Sequence, residues 1–246
     1  MQSCKTSALI LHRYPYSETS WVVKTLTAEH GRVSFLVKGA KRKKSAFNLK
    51  FEPLTQIEVV YRHSHRRDLQ FPRESSVQNW FRNIRADLES TATAQVMAEL
   101  VLRSEQSHFA QEEFVLLQKY WQNMDSQLPL AKEVLASFLI DFAELHGIGL
   151  QLKSCVQCGE DINHIPADLW PALGGAVCSQ CLGNKLPHWG EDFRQLLCKV
   201  AQKSANNSAE TSRVEAFMLD YLRIHFNKRL DLKSWRWLNE LRKDYQ

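Results

Sequence analysis

The sequence predicts an α+β protein: a small antiparallel β-barrel first, then an all-helical body with a four-cysteine module inserted in it. Three observations carry this reading. The first 75 or so residues hold short runs rich in β-branched and aromatic side chains, separated by turn signals. From about Asp87 the apolar spacing changes to that of a helix. Four of the six cysteines fall into two close pairs between residues 151 and 189.

The strands come in order. Residues 6–14 (TSALILHRY) and 20–27 (SWVVKTLT) are the first two. Ala28–Gly31 is a turn, and residues 32–39 (RVSFLVKG) return as the third. Residues 55–62 (TQIEVVYR) are a fourth, and a fifth is expected around Leu69–Phe71. Four or five strands in so short a stretch fit a small barrel, although the spacing fits a sandwich as well. The helices follow. Residues 86–106 form the first, with Leu88, Val96, Leu100 and Val101 near helical spacing. Residues 111–124 form the second, with Phe114, Leu117, Tyr120 and Trp121 on one face. The third spans 129–149, with Pro129 suited to its start and Gly147 to its end. Residues 191–204, 213–226 and 233–245 complete the body, with Thr211 or Ser212 expected to cap the second of these. The expected division is therefore 1–80 for the barrel, 81–150 and 190–246 for the helical body, and 151–189 for the insertion.

Composition narrows the function. Hydrophobic residues make up 44% and charged residues 24%, as in ordinary globular proteins. No apolar run approaches a membrane span, and the first residues lack the pattern of a secretion signal, so a cytoplasmic location is expected. The net charge of +5 is unevenly placed: residues 1–80 carry 14 Lys+Arg against 6 Asp+Glu, and the remainder is slightly acidic. Such asymmetry points to a polyanionic partner for the barrel.

Cys155-Val-Gln-Cys158 and Cys178-Ser-Gln-Cys181 are separated by 19 residues, within the spacing of four-cysteine zinc sites. Two residues between thiolates let one tight turn direct both sulfurs at one metal, and the second pair completes a tetrahedron. Gly159, Pro166, Pro171, Gly174, Gly175 and Gly183 mark the region as turns. Its 39 residues carry too few apolar groups to fold alone, so one structural zinc ion is expected to organise them. A redox dithiol needs only one such pair. Cys4 and Cys198 stand apart, as ordinary core or surface cysteines.

Between Val37 and Phe47 lies the densest charge in the chain. Lys38, Lys41, Arg42, Lys43 and Lys44 put five cations into seven residues without a carboxylate. A run of this kind is often only a solvated turn. Here it sits on a loop between two strands of the barrel, and Arg62, Arg66 and Arg67 add a second cluster in the same domain. Single-strand binders combine a positive groove with aromatic faces. Tyr14, Tyr16, Trp21 and Phe35 are the aromatics at hand, with Trp21 and Phe35 expected in the core and the tyrosines half exposed. Catalytic patterns are missing: there is no H-E-x-x-H, no phosphate-binding G-x-x-x-x-G-K-[ST], no G-x-S-x-G and no deaminase signature. His63 and His65 read as extra donors in a basic segment.

Several segments together resemble the bacterial RecO family of recombination mediators. They are Pro15-Tyr16-Ser17-Glu18-Thr19-Ser20, Thr27 to Arg32, Lys38-Gly39-Ala40-Lys41, Pro53 to Thr55 and Met97 to Val101. The helix leading into Cys155-x-x-Cys158, the stretch GGAVCSQC and the closing LDLKSWRWLNEL also fit, so the resemblance covers most of the chain in order. Residues 63–80 are unusually basic for the family, and Gly147-Ile148-Gly149-Leu150 lacks the Tyr and Pro usual at that step. The resemblance implies an OB-fold for the barrel, and binding and annealing of single- and double-stranded DNA without ATP. It implies partnership with RecR and with the acidic tail of single-stranded DNA-binding protein, and help in loading RecA at gaps, in the nucleoid. With Arg32 from the second segment, the expected DNA contacts are Arg32, Lys38, Lys41, Arg42, Lys43, Lys44, Arg62, Arg66 and Arg67. Protein tails are expected on the helical body, whose Phe217, Phe226, Trp235 and Trp237 are read first as core.

Three functions compete on this sequence: a non-enzymatic DNA-binding mediator, a zinc-ribbon RNA-binding or ribosome-associated protein, and a zinc hydrolase. Four cysteine ligands leave no open position for a catalytic water, which disfavours the third. Polyanion affinity alone does not separate DNA from RNA.

Overall fold

β1 (Ser3–Pro15) is the spine of the N-terminal sheet. Its first half pairs antiparallel with β4 (Gln56–Arg62), and its second half with β2 (Trp21–Thr27). The register against β2 shifts between Ile10 and His12, just past the end of the pairing with β4. A bulge of this kind bends and twists a strand, which curls the sheet. β3 (Gly31–Val37) returns antiparallel to β2. The outer positions go to β5 (Leu69–Gln70), parallel to β3, and β6 (Pro72–Asn79), antiparallel to β4. The hydrogen-bonded order is β5-β3-β2-β1-β4-β6. Its two ends are consecutive in the chain, with Phe71 alone between them, so the curl is completed through the chain and not by a ladder.

The computed structural model describes residues 3–47, 49–64, 66–104, 109–127, 131–163, 165–183, 189–202, 208–226 and 230–244. Inside the curl, Ala8, Ile10, Val23, Val33, Phe35, Val37, Phe51, Ile57, Val59 and Tyr61 form one buried cluster. Phe35 meets Tyr61 edge to face at 5.0 Å between centroids. The alternate residues Leu9, Leu11, Val22 and Leu26 are buried as well, because β1 and β2 are covered from outside by helices. These are α2 (Leu88–Arg103) against β1 and α3 (Ala110–Gln127) against β2. Asp87 caps α2 by accepting from the Ser90 amide at 2.7 Å. The expected face of α3 is the buried one: Phe114, Leu117, Tyr120 and Trp121 are all in the core.

Outside the cysteine insertion, two elements were not anticipated. α1 (Arg82–Ala86) is a single turn entered through Phe81 in a left-handed conformation. β6 carries Pro72-Arg-Glu-Ser-Ser-Val-Gln-Asn, and only Val77 of that strand packs on the barrel core.

Contacts divide the chain into two units, residues 1–128 with 232–246, and residues 129–231. The last helix, α8 (Lys233–Asp244), packs on α2 within the first unit. Glu99 accepts from the Ser234 amide at 2.8 Å and its hydroxyl at 2.6 Å, and Arg242 reaches Glu89 at 2.8 Å. The second unit holds α4 (Ala131–Leu145), α6 (Glu191–Ala201) and α7 (Ser208–His225), with α4 against both of the others. It also holds the hairpin β7 (Ala167–Trp170) and β8 (Gly175–Cys178) and the short α5 (Ser179–Leu182). α7 begins at Ser208, so Thr211 and Ser212 lie inside it, and the buried Thr211 is no cap. Gly147 does end α4, at φ +72°. Pro129 lies outside the described residues. No helix among those described is long and apolar enough to cross a membrane.

Arg32, on β3, fastens the sheet to the helices. Its guanidinium donates to the Ser104 carbonyl at 2.6 Å and hydroxyl at 3.0 Å, and lies 3.7 Å from Glu113, which is 1% exposed. Replacing Arg32 by Ala removes the cation beside a buried carboxylate and is expected to cost about 3 kcal/mol in urea unfolding. Adding Glu113→Gln should recover part of that loss; equal stabilities for R32A and wild type would contradict this role.

Candidate nucleic-acid interface and metal centre

The loop after β3 is shaped by Gly39, at φ +70°, a conformation that costs glycine nothing. The chain then turns through Arg42 N–H to Gly39 carbonyl at 3.0 Å and Ser45 N–H to Arg42 carbonyl at 2.9 Å. Lys41 pins this loop to the β1–β2 connection. Its amide donates to the Thr19 carbonyl at 3.1 Å, its ammonium to the Ser17 carbonyl at 2.6 Å, and the ammonium also rides 4.6 Å above the Trp21 ring. Arg13 lies on the same indole at 4.3 Å and pairs with Glu52. Two of the quoted family segments, Pro15–Ser20 and Lys38–Lys41, are thus hydrogen-bonded to each other.

With the loop fixed, Lys38, Arg42, Lys43 and Lys44 are exposed. So are Arg62, at the end of β4, and Arg66 and Arg67 beyond it. The two clusters meet at Phe71. Lys38 places its ammonium 5.1 Å from the centroid of that ring, and Arg67 its guanidinium carbon 6.0 Å from it. Exposed cation–π contacts of this kind are worth about 0.5–1 kcal/mol. One cation from each cluster, Lys38 and Arg67, is thus brought to the same ring, while Lys41 holds its own loop to the β1–β2 connection. Arg32 stands apart: its guanidinium is committed to Ser104 and Glu113, and burial draws its pKa down against the opposing pull of Glu113. His63 stacks on His30 at 4.7 Å, and His65 lies outside the described residues.

Among the aromatics, Phe35 is buried and Tyr14 and Tyr16 are exposed, as expected. Trp21 is only half-buried. It lines a groove of about 850 Å³ between the barrel and α2 and α8, together with His12, Arg13, Arg103, Lys233 and Trp237. Phe217 is core, whereas Phe226, Trp235 and Trp237 are half-buried. Phe71 escaped notice because a lone aromatic beside a proline gives no periodic signal; its cationic neighbours converge on it only in three dimensions.

In the second unit, the four cysteines come together. Their sulfur atoms lie within 4.8 Å of one another, and Cys158 and Cys178 are 3.8 Å apart at sulfur. A tetrahedron with metal–sulfur bonds of about 2.3 Å has edges of about 3.8 Å, so the set could hold a metal ion. Backbone amides already face the sulfurs: Gln157 and Cys178 donate to Cys155 at 3.4 Å, and Cys181 to Cys178 at 3.5 Å. Burial alone would raise the Cys155 thiol, but the amides of Cys178, Cys158 and Gln157 outweigh it and bring its pKa to about 6. Contact with the thiols of Cys158 and Cys178 pushes Cys181 up to about 12. Four crowded sulfurs cannot all become thiolates without a cation among them.

The surroundings hold this cluster in shape. Gly175 lies against the Gln151 backbone, where a Cβ would collide, and Ala176 donates to the Gln151 carbonyl at 2.8 Å. Arg194 of α6 donates to the Leu152 carbonyl at 2.7 Å and pairs with Glu191, while the buried Asp168 accepts from the Trp189 and Gly190 amides. Zinc added to metal-free protein is expected to bind one ion per chain and release protons. Retention should weaken as pH falls, because protons compete for the thiolates. Cys178→Ser should lose the ion in elemental analysis; a C178S protein that keeps one ion per chain would contradict the four-sulfur site.

The description "Recombination protein O N terminal" belongs to the family model that matches residues 1–81, and "Recombination protein O C terminal" to the one that matches residues 85–236. The chain is 31% identical to the DNA repair protein RecO of Desulfatibacillum aliphaticivorans over 186 residues, which is 74% of this chain and 72% of that one. It is 30% identical to the RecO of Anaeromyxobacter dehalogenans strain 2CP-1 over 182 residues, 74% and 71% of the two chains. The RecO of Geobacter metallireducens is 28% identical over 184 residues, covering 74% and 73%.

Proposed function

Because the chain belongs to the RecO family of DNA repair proteins, we propose that its barrel binds single-stranded DNA and anneals complementary strands without nucleotide hydrolysis. The observation that carries this reading is the meeting of two basic loops on one side of the barrel, with Lys38 and Arg67 on the same ring. Cations held this close attract a phosphate chain, and each contact releases condensed counterions. Two strands bound on one such surface have their mutual repulsion screened and search for pairing there. Lys38, Arg42, Lys43, Lys44, Arg62, Arg66 and Arg67 make the phosphate contacts; Lys41 positions the loop, and Arg32 holds the barrel to the helices.

The four cysteines hold one zinc ion. Its chemistry is structural: it supplies the charge that lets all four sulfurs ionise, and it folds the Cys155–Cys181 turns onto α6. The partners are those the family resemblance implies. RecR and the acidic tail of single-stranded DNA-binding protein bring this protein to gaps, where RecA is then loaded. The mediator role suits a protein that works by binding and handing over, and the same reading places it with the nucleoid in the cytoplasm.

A strand-annealing assay without nucleotide tests this. Wild type should accelerate pairing of complementary oligomers, and the R42A/K43A/K44A variant should lose most of that acceleration while remaining folded. Binding of the wild type to single strands should weaken with salt at a slope near −5 for about seven contacts. Annealing equal to the uncatalysed rate, or a triple variant as active as wild type, would contradict the reading. Tighter binding to RNA than to DNA oligomers at one salt concentration would favour an RNA-binding protein instead.

A further inference from the structure

Phe71 is 38% exposed, yet its backbone is held on both sides. Gln70 pairs with Phe35 of β3, and Pro72 with Tyr61 of β4. The Gln70 side chain is buried and is fixed by the Ser64 amide and by the carbonyls of Ser64 and Arg67. The ring thus stands on a rigid seam, where the sheet passes from one ladder to the other, and faces outward. An exposed aromatic at such a position contributes little to the core beneath it. Around it lie Lys38 from one basic loop and Arg67 from the other, with Arg66 and Arg73 exposed nearby in the chain.

We propose that Phe71 is a stacking platform for a base of single-stranded nucleic acid. The inference rests on the DNA-binding reading above and adds a contact that phosphates do not supply. Every unpaired base has a face that a phenyl ring can cover, so the contact is tolerant of sequence. A duplex keeps its bases stacked inside and offers no such face. Lys38 and Arg67 gain twice from the exchange: as a base covers the ring, their charges are passed to the phosphates on either side of it. Release is easy as well, because a strand pairing with its complement withdraws its base from the ring without breaking a hydrogen bond to the protein.

The test compares two ligands of equal length and charge, an oligothymidylate and an abasic oligomer, by fluorescence anisotropy at one salt concentration. Wild type, Phe71→Ala, Phe71→Leu and Phe71→Tyr are the proteins. F71A and F71L should bind oligothymidylate about tenfold more weakly than wild type, bind the abasic strand as wild type does, and keep its salt slope. F71Y, which keeps a ring, should stay near wild type. F71L guards against a folding defect, since it retains apolar bulk on the seam. An F71L protein that binds both strands as wild type does, or that weakens equally for both, would overturn the stacking role while leaving DNA binding intact. A wild type that binds neither strand would reject the DNA reading itself, and the inference with it.

Discussion

Everything at the basic face depends on holding like charges together. Five cations within Lys38–Lys44 and three more at Arg62, Arg66 and Arg67 would separate if the chain were free to let them. The barrel prevents this. β3 and β4 end in these two loops, and both strands are laddered to the same run of chain, Leu69–Asn79, on either side of Phe71. Lys41, hydrogen-bonded to Ser17 and Thr19 and lying over Trp21, keeps the first loop from swinging away. The ring of Phe71 gives Lys38 and Arg67 a shared resting place. A surface kept basic at the expense of self-repulsion is one that a polyanion stabilises.

The helices contribute to the same end. Arg32 is the cation that the fold keeps for itself. By bonding Ser104 and approaching Glu113 it ties β3 to the α2–α3 junction, so the strand that leads into the basic loop has a fixed base. The zinc-type cluster follows the same logic with opposite sign. Four thiols are crowded until only a cation can let them ionise together, and Arg194 and Asp168 hold the frame around them. In each case the local charge is unfavourable alone.

The sequence speaks clearly where the signal is local. Strands β1 to β4 show in alternation and turn residues, the buried face of α3 shows in its period, and the two C-x2-C pairs show in their spacing. It is silent where the partner is distant in the chain. Nothing beside Arg32 announces Glu113, so the family segment it belongs to counted it with the expected DNA contacts. β6 hides because most of its side chains face water and it opens on a proline, which leaves only Val77 as an apolar mark. The cap expected at Thr211 or Ser212 failed for a related reason: both residues have cap chemistry, but α7 starts earlier and buries Thr211. The family models divide the chain at the end of the barrel, after residue 81. Spatial contacts instead keep α1 to α3 and α8 with the barrel, which no local pattern reveals.

That both basic loops act as one surface is the central claim, and the salt dependence of binding measures it most directly. Replacing Arg62, Arg66 and Arg67 by Ala leaves the Lys38–Lys44 loop untouched. If the two loops grip one strand, the slope of log affinity against log salt for single-stranded DNA should become shallower by about 2 in this variant, at roughly 0.7 per lost contact. A slope equal to that of wild type would show that the second cluster is solvated surface, and that the face built around Phe71 does not bind as a unit.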